Sequence, residues 1–122
     1  MKSENFIKSL GYALKGLRET ALRERNFRYQ IIIGFLTIIF CLIFRVETQL
    51  FLLACFAICL VLAMELTNTA IEAVVDLVAG DEIKPLAKIA KDAAAAAVLI
   101  ASLFSIIVGF AIIFNVIERY VT

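Results

Sequence analysis

Two patterns of hydrophobic and polar positions divide this chain. Near the start, Ile7, Leu10, Leu14, Leu17 and Ala21 recur at steps of three and four, while Lys8, Lys15, Arg18 and Glu19 project elsewhere. That period belongs to an amphipathic helix. Farther on, the alternation gives way to three uncharged and largely apolar runs, residues 29–44, 48–64 and 93–117. A membrane-crossing helix needs about 20 mostly apolar residues. The third run meets this outright. The second meets it once Glu65 is included. The first does so if Phe27 and Arg28 lie at the membrane boundary, with Arg28 reaching water along its aliphatic stem.

The pattern therefore predicts an all-α membrane protein of one domain, residues 1–122. A surface helix is expected over about residues 4–24, with spans over about 27–44, 49–70 and 93–117. Arg45-Val-Glu47-Thr48 reads as a tight hairpin, and residues 80–85 as a polar turn before the last span.

Composition agrees with the membrane assignment. The chain is 63% hydrophobic, well above the globular norm. A net charge of +1 gives no reason to expect a nucleic-acid partner. The placement of the charge is more informative. Seven Lys and Arg precede the first run and three lie between the second and third, against one in the hairpin and one in the tail. By the positive-inside tendency this orients the N-terminus and the Gly80 region to the cytoplasm. The basic amphipathic segment then lies on that surface, attracted to anionic lipid. A polar segment before the first apolar run is unlike a cleavable signal peptide. Cys41, Cys55 and Cys59 all fall in apolar runs, where they read as small hydrophobes.

One position breaks the pattern. Glu65 follows seventeen uncharged residues and opens the series Glu65-Leu-Thr-Asn68-Thr-Ala-Ile-Glu72-Ala-Val-Val-Asp76. A carboxylate in a membrane helix is costly and marks a functional site by default. Positions 65, 68, 72 and 76 fall within roughly an 80° arc of one helix face. Three carboxylates and an amide on one stripe suit cation binding or proton handling. Depth narrows the choice. From Gln49 to Glu65 the helix rises about 24 Å, against a hydrocarbon core of roughly 30 Å. Glu65 is therefore expected near the cytoplasmic boundary, with Glu72 and Asp76 emerging beyond it.

A membrane-surface phosphotransferase would need this arrangement: one carboxylate at a lipid hydroxyl and others facing a water-soluble substrate. Mg²⁺ takes one or two protein carboxylates plus substrate phosphates, and phosphoryl transfer adds a cationic side chain and a base near the acceptor. Glu24 and Glu72 could hold the metal, Lys91 could meet phosphate, and Glu65 could bind and deprotonate a lipid alcohol. No Walker-type or kinase-type glycine loop is present, so a nucleotide site must be of another kind. Three other readings compete. Glu65 could serve a small proton-coupled carrier, which would have no use for the outer carboxylates or for Lys91-Asp92. The stripe could pair with the cations of the second connection and only fix packing, with Glu24 and Arg28 as an ordinary i,i+4 pair. The chain could also be a non-catalytic assembly subunit. A stripe of small residues from Ala87 through Ala94 and Ala101 to Gly109 predicts close approach to a helix partner, either the second span or another subunit.

At the Glu65–Asp76 series the chain strongly resembles the small prokaryotic diacylglycerol kinase family. Gly11-Tyr12-Ala-Leu-Lys15-Gly-Leu-Arg18, Glu24-Arg-Asn-Phe27-Arg28 and Ala90-Lys91-Asp92 are similar to further family segments in the same order. The resemblance implies transfer of phosphate from MgATP to a lipid alcohol by a homotrimer whose active sites are shared between subunits. It implies Glu65 as the catalytic base and Glu24 and Glu72 as metal-linked carboxylates. Tyr12, Lys91 and Asp92 become ATP contacts, joined by Glu24 and Glu72 and supported by Asn68 and Asp76. Glu82 and Lys84 align with a nucleotide-contacting turn, although Lys84 stands where a His is common. Asn5 stands where the family has an arginine used for the nucleotide base. The stretch from Lys84 to the alanines after Asp92, and the absence of Trp, look more like the undecaprenol kinase branch than the diacylglycerol branch.

Overall fold

A computed structural model describes residues 2–122, with side chains from Asn5 onward. It is all-helical: α1 (Lys2–Arg23), α2 (Arg25–Ile43), α3 (Thr48–Ala79) and α4 (Pro85–Val121). Among the described residues three helices, α2, α3 and α4, are long and apolar enough to cross a membrane. Most of their large apolar side chains, Phe35, Leu36, Phe110 and Phe114 among them, are exposed. An outward apolar surface is what a bilayer solvates, and it marks a membrane protein.

The helix ends follow local chemistry. Pro85 occupies the first turn of α4, where its missing N–H costs nothing. Gly80 ends α3 at φ +60, a region open to glycine, and its N–H reaches the Asp76 carbonyl at 2.9 Å. Arg45, in the four-residue turn after α2, is the one non-glycine with positive φ among the described residues. From α4, Arg119 donates to the carbonyls of Phe44 and Arg45, both at 2.8 Å, so a cation caps the end of α2. Both α3 and α4 run past their apolar runs: α3 carries the stripe to Ala79, and α4 begins ahead of Ala93.

The core is built on small residues. Ala54, Ala57 and Val61 of α3 are buried, as are Ala94, Ala101 and Val108 of α4. The small-residue face of α4 is thus met within the chain by small residues on α3. In lipid such faces associate by close van der Waals packing. Gly34 also lets α2 approach α3, since a Cβ there would lie 2.8 Å from Cγ2 of Ile58. The three cysteines are free, and Cys41 is buried as a small hydrophobe.

α1 packs loosely. Its apolar residues Leu10, Leu14 and Leu17 remain exposed, and an open cleft of about 510 Å³ separates its Ala13 and Gly16 from Leu66 and Ala70 of α3. At its junction with α2, Phe27 is packed inside the protein; at 1% exposure it is the most deeply buried large side chain described. Arg28 does not pair with Glu24. Its guanidinium instead donates to the carbonyls of Ala21 at 2.7 Å and Leu22 at 3.1 Å. Those carbonyls are left without helical partners where α1 ends, and a charged donor satisfies them.

Candidate functional site

Glu65 lies on the face of α3 that turns toward α2, and it is 7% exposed. An ionised carboxylate so placed needs compensation. No cation supplies it among the described residues. Two amides do. Gln30 of α2 donates from Nε2 to Oε1 of Glu65 at 3.1 Å, and Asn68 donates from Nδ2 to Oε2 at a long 3.5 Å. The same Asn68 nitrogen reaches Oε1 of Glu72 at 3.0 Å. The i,i+3 and i,i+4 spacing that put these residues on one face thus becomes a relay of polar contacts from Gln30 through Glu65 and Asn68 to Glu72.

Farther along α3 the chemistry changes. Asp76 is exposed and meets Lys91 of α4 at 2.6 Å. Asp92 pairs with Lys88 at 2.6 Å, one turn earlier on its own helix. Glu82 and Lys84 pair at 3.4 Å in the turn between α3 and α4. The packing reading of the stripe therefore fits Asp76, which is paired with Lys91, and Lys91 also feels the charge of Glu72 without pairing with it, but the reading does not fit Glu65.

Tyr12 is exposed, and the ammonium of Lys15 lies 5.8 Å from its ring centroid. Glu24 is half-buried in the break between α1 and α2, just outside α1, with extended backbone at φ −109 and ψ 111. Neither makes a hydrogen bond or ion pair with the stripe among the described residues.

The donor set bears on a metal. Among the described residues no cluster of three or more acidic or cysteine side chains could enclose an ion. Mg²⁺ does not require one, since substrate phosphates and water complete its shell. Neither Glu24 nor Glu72 forms an ion pair among the described residues. Their hard oxygens suit Mg²⁺ held jointly with a nucleotide.

Sequence reasoning passed over Gln30, which fell inside an uncharged run. The signal was available in its polarity, because an amide in an apolar span is itself costly to bury. Its carbonyl Oε1 and the carbonyl Oδ1 of Asn68 are both buried without a partner. Gln30 also lines a cavity of about 310 Å³ between α2, α3 and α4, walled chiefly by apolar residues such as Ile33, Ala57 and Val61.

Comparison with known proteins gives this site a context. The family model described as prokaryotic diacylglycerol kinase matches residues 11–113. The chain is 38% identical over 107 residues to an undecaprenol kinase of Bacillus subtilis, covering 88% of this chain and 86% of that protein. It is 38% identical over 101 residues to a diacylglycerol kinase of Escherichia coli K12, covering 83% and 82%. A diacylglycerol kinase of Synechocystis is 40% identical over 105 residues, 86% of this chain but 60% of that protein's length. The matched segment contains Tyr12, Glu24, the whole Glu65–Asp76 stripe, Lys91 and Asp92, and the chain belongs to the prokaryotic diacylglycerol kinase family, whose relatives named here are lipid kinases.

Proposed function

We propose that the protein transfers the γ-phosphoryl group of MgATP to the hydroxyl of a membrane lipid alcohol, either undecaprenol or diacylglycerol. The reaction takes place at the cytoplasmic face of a bacterial inner membrane, on which α1 lies. The observation that carries this reading is Glu65: a buried carboxylate with no cationic partner, held by neutral amides at the end of a long apolar segment. A carboxylate neutralised by a lysine or arginine would make a poor base. One held by amides keeps its capacity to accept a proton.

In this reading Glu65 receives the proton of the lipid hydroxyl, and the apolar cavity beside Gln30 supplies surroundings in which a lipid alcohol is at home. Glu72, presented by Asn68, and Glu24 hold the metal. When bound, Mg²⁺ neutralises the phosphate oxygens and orients them toward the acceptor. Lys91 faces the phosphates. Its present partner Asp76 is exposed, and exposed ion pairs are weak enough for a polyphosphate to compete. Tyr12, Asp76, Glu82, Lys84 and Asp92 complete the nucleotide surface.

Tyr12 and Glu24 make no polar contact with the stripe within one chain, which leaves their partners to a bound nucleotide or to a neighbouring subunit of a homotrimer. Crosslinking in mild detergent tests the trimer, and a monomeric product would exclude it. The activity is tested by offering labelled ATP and Mg²⁺ with each lipid in turn. Label appearing in a lipid phosphate is expected, and the ratio of rates assigns the acceptor. No transfer to either lipid would remove the kinase reading.

A further inference from the structure

The active-site stripe leaves one polar group unexplained. Gln30 donates to Glu65 through Nε2, yet its carbonyl Oε1 is buried with no hydrogen-bond partner. An unsatisfied buried acceptor carries a desolvation cost, and native structures hold few of them. Asn68 shows the same arrangement, with its nitrogen shared between Glu65 and Glu72 and its oxygen unsatisfied. Asn68, however, belongs to the helix that carries both carboxylates. Gln30 comes from α2 and makes the shorter bond to Glu65, 3.1 Å against 3.5 Å.

We infer that Gln30 is a positioning residue for the base, and that its amide serves Glu65 in both protonation states. This inference rests on the kinase reading of Glu65. Before transfer Glu65 is ionised and can only accept, so it takes the Nε2 hydrogen of Gln30. During transfer the acceptor O–H bond breaks and its proton passes to Glu65. The alcohol oxygen bonds to the γ-phosphorus, and the bond from that phosphorus to the bridging oxygen of ATP breaks, its electron pair leaving with ADP. Glu65 is then a carboxylic acid that must donate. A half-turn of the terminal amide of Gln30 presents Oε1 as acceptor. Such terminal torsions are broad and roughly two-fold, so the turn crosses no high barrier. Release of the proton to water restores the starting state. The orphaned oxygen is thus the acceptor used in the second half of the cycle.

The inference separates side chains by hydrogen-bond type. Methionine matches glutamine in size but can serve neither state. Glutamate can accept from protonated Glu65 but repels its ionised form. Neutral histidine has one donor and one acceptor nitrogen and can serve both. The test is steady-state kinetics of the full-length wild type, Gln30→Met, Gln30→Glu and Gln30→His, with whichever lipid the wild type phosphorylates. KM for ATP is measured alongside kcat. Gln30→Met is expected to lower kcat at least tenfold with KM for ATP changed less than twofold, and Gln30→His to recover at least a third of wild-type kcat. Detergent-solubilised assembly, compared by size-exclusion profile, is expected to match across the variants. Wild-type kcat in Gln30→Met would overturn the inference. So would a loss accompanied by disrupted assembly, or an effect confined to KM for ATP, or a histidine variant no better than methionine. A wild type that phosphorylates neither lipid would overturn the kinase reading and this inference with it.

Discussion

Glu65 and Asp76 are carboxylates on one face of one helix, yet the structure treats them oppositely. Glu65 is buried and held by the amides of Gln30 and Asn68. Asp76 is exposed and bound to a lysine at 2.6 Å. The difference separates a buried carboxylate with no counter-ion from one whose charge is balanced by a neighbour. Burial without a counter-ion is expensive, and a fold retains it where the site has work to do. An exposed ion pair is cheap to make and cheap to lose.

The comparison can be broken by removing each group in turn. Glu65→Gln preserves shape and should lower kcat by about 10²–10⁴-fold, the range for a positioned general base, with ATP affinity largely intact. Near-wild-type turnover would take Glu65 out of the base role. Glu72→Gln and Glu24→Gln should each raise the Mg²⁺ concentration needed for half-maximal rate, by roughly tenfold for one lost charged ligand contact of about 1.4 kcal/mol. A Mg²⁺ dependence like that of the wild type would remove those carboxylates from the metal. Asp76→Asn should have a smaller effect, a change of roughly threefold or less in KM for ATP, because an exposed pair contributes little; a loss as large as that of Glu65→Gln would erase the contrast between the two positions. Least affected should be Lys88→Gln, which breaks only the pair with Asp92 on the outside of α4, and kcat within about twofold of wild type is expected.

A parallel contrast appears at the two ends of α2. Arg28 caps the carbonyls of Ala21 and Leu22, and Arg119 caps those of Phe44 and Arg45. Both arginines serve backbone rather than carboxylates. Near the N-terminal end of α2 this leaves Glu24 without a cation, so the joint that ends α1 also frees a metal-ligand candidate. Arg28→Ala should therefore raise the Mg²⁺ concentration needed for half-maximal rate indirectly, through the geometry of the break, while Arg119→Ala should lower thermal stability with little change in kcat. Melting and Mg²⁺ titration of the two variants would separate the effects.

Much of this was legible along the chain because its causes are local. The apolar runs, the hairpin at residues 45–48, the break at Gly80 and the shared face of Glu65, Asn68, Glu72 and Asp76 all follow from helix period and turn chemistry. The small-residue face of α4 was equally legible, though not its partner. What tertiary structure alone decided is which side chains from different helices meet. Gln30 reaches Glu65 across 35 positions of sequence, in a fold where α2 approaches α3 closely enough at Gly34 to press on Ile58. Lys91 reaches Asp76 while Lys88 turns to Asp92, a choice set by the register of α4 against α3. Helix period places residues on a face, but packing determines what that face meets, and so which of two similar carboxylates is left without a counter-ion.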